Sequence, residues 1–234
     1  MRLAALFSGG KDSVFAVYDS LKKGHTVRYL ISMLSRNPDS YMFHYPNIKF
    51  VSLQAKSMGI PLITNETKGE KEKEVLDLKN TIEHIREEID GIIAGGLASN
   101  YQYNRIKSVA DPLGLKVIIP FWRIEPDEYW KLILDAGFTV IITRVSCEGL
   151  GKEWLGKIVD RKTFIELKKI SEKHRFHLAF EGGEAETFVL DCPVFKKSIE
   201  VVDAERVWEK DSGFYLFKRL KLVNKPTPSE SVST

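Results

Sequence analysis

Two short strings in this 234-residue chain combine residue types that could do chemistry. The first is Ser8-Gly9-Gly10-Lys11-Asp12-Ser13, which follows the apolar run Leu3 to Phe7 and precedes an amphipathic stretch. A helix that opens directly after glycines presents unpaired N–H groups and a partial positive charge, and so suits phosphate. Glycine lets the backbone approach a ligand, and the serine hydroxyls add donors. Lys11 can neutralise phosphate charge, and Asp12 is a candidate for holding Mg²⁺, which prefers carboxylate and phosphate oxygens. The string is not a Walker A loop: Ala5 stands where that motif needs its first glycine, and Asp12 stands where it needs Ser or Thr.

The second string is Glu181-Gly182-Gly183-Glu184-Ala185-Glu186, running on through Thr187-Phe188-Val189-Leu190-Asp191-Cys192-Pro193. Glutamates crowded around a Gly-Gly turn repel one another unless a cation sits among them. An extended Glu184 to Glu186 puts both side chains on one face. Such a face suits Mg²⁺, ammonium or a cationic substrate group, and a glutamate there can take a proton from ammonium to release nucleophilic ammonia. An acidic surface turn is the ordinary fate of such a cluster when it stands alone.

The elements that position these strings alternate. Leu3–Phe7, Thr26–Ser32, Pro61–Thr64, Gly91–Gly96 and Lys116–Pro120 read as strands, separated by helices over Val14–Lys23, Ile48–Met58 and Asn100–Leu113. Between the third and fourth strands, Val75, Leu78, Ile82, Ile85 and Ile89 mark one apolar helix face. Strands spaced by helices predict a parallel sheet with right-handed crossovers. The pattern changes near Phe121. Pro126–Ala136 and Asp160–His174 read as helices, and Val140–Val145, Thr187–Leu190, Ile199–Val202 and Gly213–Val223 as strands. The chain is therefore expected to be α/β, with a nucleotide-binding domain over 1–121, a smaller α/β closing domain over 122–223, and a disordered tail over 224–234. The run Lys68–Glu74 reads as a solvated loop and helix start, or as a lid.

Composition narrows the function classes. A net charge of +3 is too weak to imply nucleic acid, and no run is long enough to span a membrane. The expectation is a soluble cytoplasmic protein. Cys147 and Cys192 lack metal-site spacing, and the histidines His25, His44, His84, His174 and His177 do not cluster.

SGGKDS resembles the PP-loop signature of ATP pyrophosphatases, a superfamily of AMP-forming synthetases and tRNA-modifying enzymes. That resemblance implies a Rossmann-like, adenine nucleotide alpha hydrolase-like domain and cleavage between the α and β phosphates. By fold analogy, adenine lies near Ile31–Met33, and Gly95 and Gly96 border the nucleotide. EGGEAETFVLDCP resembles the EGGE-x-E-T signature of the diphthine–ammonia ligase family, and GGLASNYQYNRIKSVADPLGL resembles its helix signature, with Ser99, Tyr101, Gln102, Asn104 and Arg105 on matching positions. Pro120–Arg123 and Gly149–Gly156 match as well, and the likeness runs from about residue 1 to 200. The chain departs from the pattern at Ala185, Asn100 and Tyr103, which bears on the shape of the pocket.

The resemblance implies ATP-dependent amidation, with Mg²⁺, of diphthine on translation elongation factor 2. The diphthine carboxylate would be adenylated and ammonium would supply the nitrogen, giving AMP and pyrophosphate. Lys11 and the loop amides would stabilise pyrophosphate, and Lys11, Asp12, Glu184 and Glu186 would carry the chemistry. Ser8, Gly9, Gly10, Ser13 and Met33 would complete the nucleotide site with Gly95 and Gly96. Arg105 would meet a phosphate or the substrate carboxylate. Glu181, Gly182, Gly183, Glu184 and Glu186, with Tyr101 or Trp122, would receive the trimethylammonium group of diphthine, and Ser99 and Gln102 would border it. A tRNA-modifying PP-loop enzyme, a non-catalytic ATP-binding regulator and a small-molecule amide ligase remain as alternatives. The oligomeric state, a homodimer included, stays open.

Overall fold

The computed structural model describes residues 1–35, 47–67, 73–96 and 99–225. Most of the charged run Lys68–Glu74, His44, and the tail from residue 226 lie outside these residues.

Five strands form one parallel sheet: β1 (Arg2–Leu6), β2 (Thr26–Ser35), β3 (Leu62–Thr67), β4 (Gly91–Ile93) and β5 (Lys116–Ile118), in the order β3-β2-β1-β4-β5. Its helices are α1 (Lys11–Lys22), α2 (Val51–Met58), α3 (Lys73–Glu83) and α4 (Asn100–Ala110). Leu3, Ala4, Ala5, Ile92 and Ile93 are almost wholly buried, as central parallel strands covered on both faces require. From β1 the chain first winds outward to β2 and β3, then returns to β4 and β5 on the other side. The switch point therefore lies between β1 and β4, and the SGGKDS loop leaves the carboxyl end of β1 beside it.

The parallel sheet is the one expected, and its elements differ in their bounds. Helix α1 starts at Lys11 rather than Val14, so the loop's own Lys11, Asp12 and Ser13 form its first turn. The apolar face begun at Val75 outlasts its helix. Helix α3 stops at Glu83, and Ile85 and Ile89 are buried from a turn and a 3-10 segment, Arg86–Glu88. The chain must turn there because Asp90 is tied to Arg2 by a backbone and a side-chain bond, both at 2.7 Å, which starts the β1–β4 pairing. Strand β4 also stops at Ile93 rather than running through Gly96.

The α-helices and strands that follow are α5 (Pro126–Asp135), β6 (Thr139–Val145), α6 (Arg161–His174), β7 (Ala185–Asp191), β8 (Lys197–Glu209) and β9 (Ser212–Asn224). Their strands form a separate sheet, β7-β6-β9-β8, with antiparallel β6–β7, β6–β9 and β8–β9 pairs. Pro126 opens α5, and the Asp160 carboxylate caps α6 through the Thr163 N–H at 2.7 Å. Strand β8 is far longer than Ile199–Val202, because its outer half carries charged residues that read as loop. The two sheets share one core. Phe15 of α1 stacks on Phe121 with ring centroids 4.7 Å apart and meets Tyr129 and Phe138 edge-on. Among the described residues, no helix is long and apolar enough to cross a membrane.

Candidate active site

The loop after β1 is held in a shape that only its sequence permits. Gly9 has a φ of +78°, in the left-handed region. Gly95 lies bare against the first turn of α1, where a Cβ would stand 2.4 Å from the Asp12 carbonyl carbon and 2.6 Å from the Ser13 nitrogen. Ser13 Oγ donates to the Gly10 carbonyl at 3.1 Å and accepts from the Ser8 N–H at 3.3 Å, so these serines brace the loop. Gly96 follows beside Gln102.

The second sheet closes over this loop. Val189 N–H of β7 donates to the Gly9 carbonyl at 3.0 Å, and the Lys11 N–H donates to Thr187 Oγ1 at 3.1 Å. A cavity of about 60 Å³ remains between them, lined in part by Ser8, Asp12, Glu186 and Thr187. It has room for a few water molecules.

Lys11 differs from its sequence expectation. Its Nζ donates to the Ala179 carbonyl at 2.7 Å and to Asp12 Oδ2 at 2.9 Å, and it lies 5.3 and 5.6 Å from the ring centroids of Phe180 and Trp130. The side chain is 3% exposed and points into the second sheet's loop. Asp12 Oδ1 and the Tyr129 hydroxyl are buried without a well-formed hydrogen bond. Burial, then the charge of Asp12 and a hydrogen bond to it, and last the charge of Glu181 raise the Tyr129 pKa well above its ordinary value.

The acidic string does not present one shared face. Glu184 precedes β7 and folds back. Its two oxygens accept from the His177 and Gly182 N–H groups, both at 2.8 Å, closing the turn that carries Glu181 and Gly183. Glu186 lies within β7 and accepts from Arg144 Nη1 of β6 at 2.9 Å. Burial pushes the Glu186 carboxyl up to about 7, against the opposing pull of Arg144. The pairing separates Glu184 from Glu186 because each already has a better partner than a shared cation. Among the described residues, no group of three or more His, Cys, Asp or Glu side chains could hold a metal ion.

The helix signature gathers at the carboxyl ends of β4 and β5. Ser99 Oγ caps α4 by accepting from the Gln102 N–H at 3.3 Å. The Arg105 guanidinium lies 4.9 Å from the Tyr101 ring centroid and donates to the Tyr101 hydroxyl. Trp122 packs 5.5 Å from Tyr103, with the Arg123 guanidinium 5.9 Å from its ring. Tyr101 and Trp122 therefore face guanidinium groups, while Glu184 is bonded to turn amides and Glu186 to Arg144. The Met33 side chain is buried in the core with α3 residues Leu78 and Ile82, leaving only its backbone for a ligand.

Sequence reasoning missed Arg144, Tyr129, Trp130, Thr187 and Ala179. None stands in a motif except Thr187, and no spacing announces the others, because they reach the loop through tertiary packing alone.

Comparison with known proteins agrees with this architecture. A diphthamide synthase N-terminal domain model matches residues 1–117, and a diphthamide synthase C-terminal domain model matches residues 125–223. A diphthine–ammonia ligase of Danio rerio is 33% identical, over 92% of this chain and 91% of that protein. The Homo sapiens protein of the same name is 32% identical, over 92% of this chain and 88% of that one. The Schizosaccharomyces pombe protein of that name is 29% identical over 97% of this chain, which spans 40% of its length. With a family model over each half and relatives above 30% identity along nine-tenths of its length, the chain belongs to the diphthamide synthase family.

Proposed function

We propose that the protein amidates diphthine on translation elongation factor 2, using ATP and ammonium and releasing AMP and pyrophosphate. Family membership carries this reading, and the loop after β1 supports it chemically. A free carboxylate resists ammonia because oxide is a poor leaving group, whereas an acyl-adenylate releases AMP. The protein's tasks are then charge neutralisation and alignment.

Residues 1–121 form the nucleotide half in this reading, and 122–223 the substrate half. Ser8, Gly9, Gly10 and the first-turn amides of α1 after Lys11, whose own N–H is held by Thr187, receive the phosphates. The bare backbones of Gly95 and Gly96 border the nucleotide, as does the Met33 backbone. The left-handed Gly9 gives the loop the turn that a backbone-held phosphate needs, and the close packing of Gly95 on the first turn of α1 fixes that turn in place. The Asp12 carboxylate, whose Oδ1 is buried with no well-formed hydrogen bond and which lies beside the Tyr129 hydroxyl, fits a site for Mg²⁺. The ion would supply positive charge against the triphosphate. Lys11 bonds to Asp12 and keeps the loop closed on the Ala179 segment.

Glu186 titrates near neutrality and lines the cavity, so it can accept a proton from ammonium or from the attacking amine. Glu184 orders the Gly182-Gly183 turn that presents Glu181. Ser99, Tyr101, Gln102, Arg105 and Trp122 form the opposite wall, where the Arg105 guanidinium suits the substrate carboxylate.

Product analysis tests the proposal. The protein is mixed with Mg-ATP, ammonium and diphthine-bearing elongation factor 2, and each is omitted in turn. AMP and pyrophosphate that depend on the factor, with its carboxylate converted to an amide, are expected. ADP and phosphate would overturn the mechanism. AMP formed without regard to the factor would redirect the search to RNA or small carboxylates.

A further inference from the structure

Thr187 is buried on β7 and lines the cavity beside Asp12 and Glu186, yet the proposed chemistry gives it no part. Its position nevertheless bears on the phosphate loop. Helix α1 begins after Gly10, an N-cap without a side chain, so no local group accepts from the first-turn amides. The missing acceptor comes from the other end of the chain: the Lys11 N–H donates to Thr187 Oγ1 at 3.1 Å, across 176 residues. The same strand grips the loop again two residues on, where the Val189 N–H donates to the Gly9 carbonyl at 3.0 Å. The fully buried Gln54 of α2 ties the two together, its Nε2 donating to the Gly9 carbonyl at 2.9 Å and the Val189 carbonyl at 2.8 Å. Gly10 is pressed on the same strand, for a Cβ there would stand 3.2 Å from the Thr187 carbonyl oxygen.

We propose that Thr187 is a positioning residue for the phosphate loop, its hydroxyl capping α1 from the second sheet in place of a local N-cap side chain. The inference rests on the ATP-binding reading and deepens it. The glycine that lets a phosphate approach cannot also cap the helix. Supplying the cap from β7 resolves that conflict and makes the phosphate-binding amides depend on how the second sheet docks. Serine can replace threonine in this role, because only the hydroxyl oxygen is needed. Valine keeps the shape and removes the acceptor.

The test is calorimetric titration of Mg-ATP into wild type, Thr187→Val and Thr187→Ser, with thermal melts of each. Loss of an N-cap acceptor predicts roughly 2- to 30-fold weaker ATP binding by Thr187→Val. Thr187→Ser is expected within about 2-fold of wild type by the same argument. If Thr187→Val does not melt cooperatively, Thr187→Cys, close in size and a poor acceptor, carries the same expectation. A merely structural role would lower the melting temperature and the fraction of binding-competent protein while leaving the dissociation constant unchanged, and that result overturns the proposal. Wild type that fails to bind Mg-ATP would overturn the ATP reading and this inference together. Wild type that binds, with a Thr187→Val variant that binds equally well, would overturn this inference alone.

Discussion

Lys11 Nζ and the Ala179 carbonyl oxygen are joined at 2.7 Å, although Lys11 belongs to the loop after β1 and Ala179 to the segment before the Gly182-Gly183 turn. A lysine read as a phosphate ligand is thus the buried link between the two halves of the site. Desolvating an ammonium is expensive unless it is paired and bonded. Here Asp12 supplies the countercharge, Ala179 an acceptor, and the Phe180 and Trp130 rings a polarisable wall.

Lys11→Met should therefore destabilise the ligand-free protein by about 1–3 kcal/mol, the cost of leaving a buried acceptor without its donor. Urea denaturation measures this. Amide hydrogen exchange across residues 177–184 should quicken in the same variant, because the segment loses its tie to α1. Unchanged ligand-free stability would mean that Lys11 serves only bound phosphate.

Glu184 accepts from two turn amides at once, both at 2.8 Å. Glu184→Gln keeps the shape but turns one oxygen into an NH₂ group facing an N–H donor. The expected outcome is turnover reduced about 10-fold or more, while Mg-ATP affinity stays within about 3-fold, since the displaced turn lies outside the phosphate loop. Steady-state assays with calorimetric titration separate the two effects. Equal losses in both would place Glu184 at the nucleotide instead.

Glu186 gives the protein a pH dependence of definite sign. Burial pushes its carboxyl up to about 7 in the folded chain, against an ordinary value of 4.5. Between those values the folded protein holds a proton that the unfolded chain has released. The contribution to stability is therefore full below the unfolded pKa and is lost as the pH rises through 7. Glu186→Gln should flatten the fall in melting temperature between pH 5 and 8. If turnover needs the carboxylate as a base, an arm of the pH–rate profile near 7 should vanish with it. A melting curve equally pH-dependent in the variant would assign the titration to another group.

Much of this was legible along the chain, and the rest was not for a physical reason. The parallel sheet could be read because Leu3–Phe7 and its sister strands are continuous apolar runs separated by periodic helices. The strand-to-helix turn at SGGKDS could be read because glycines between an apolar run and an amphipathic stretch set it by local backbone geometry. The acidic string could be located but not interpreted. The pairing of Glu186 with Arg144 depends on the antiparallel register of β6 and β7, and the burial of Lys11 depends on where Ala179 and Trp130 arrive in space. Local rules place side chains on faces, and they do not say which face another part of the chain will cover.

Gly95 and Gly96 look equivalent in sequence and are not equivalent in the fold, so the pair gives a sharp test of the nucleotide site. At Gly95 an added methyl would meet backbone, 2.4 Å from the Asp12 carbonyl carbon and 2.6 Å from the Ser13 nitrogen, and backbone at a helix start cannot yield without moving the turn. At Gly96 the nearest atom is Gln102 Oε1 at 3.3 Å, the end of a flexible side chain. Gly95→Ala should cost about 1–3 kcal/mol of stability by overpacking. It should also weaken Mg-ATP binding by roughly 10-fold or more, because the displaced first turn carries the amides that meet phosphate. Gly96→Ala should stay within about 3-fold of wild type in the same titration, since a rotated Gln102 relieves the contact. If both variants bind alike, the first turn of α1 is not where the nucleotide is received.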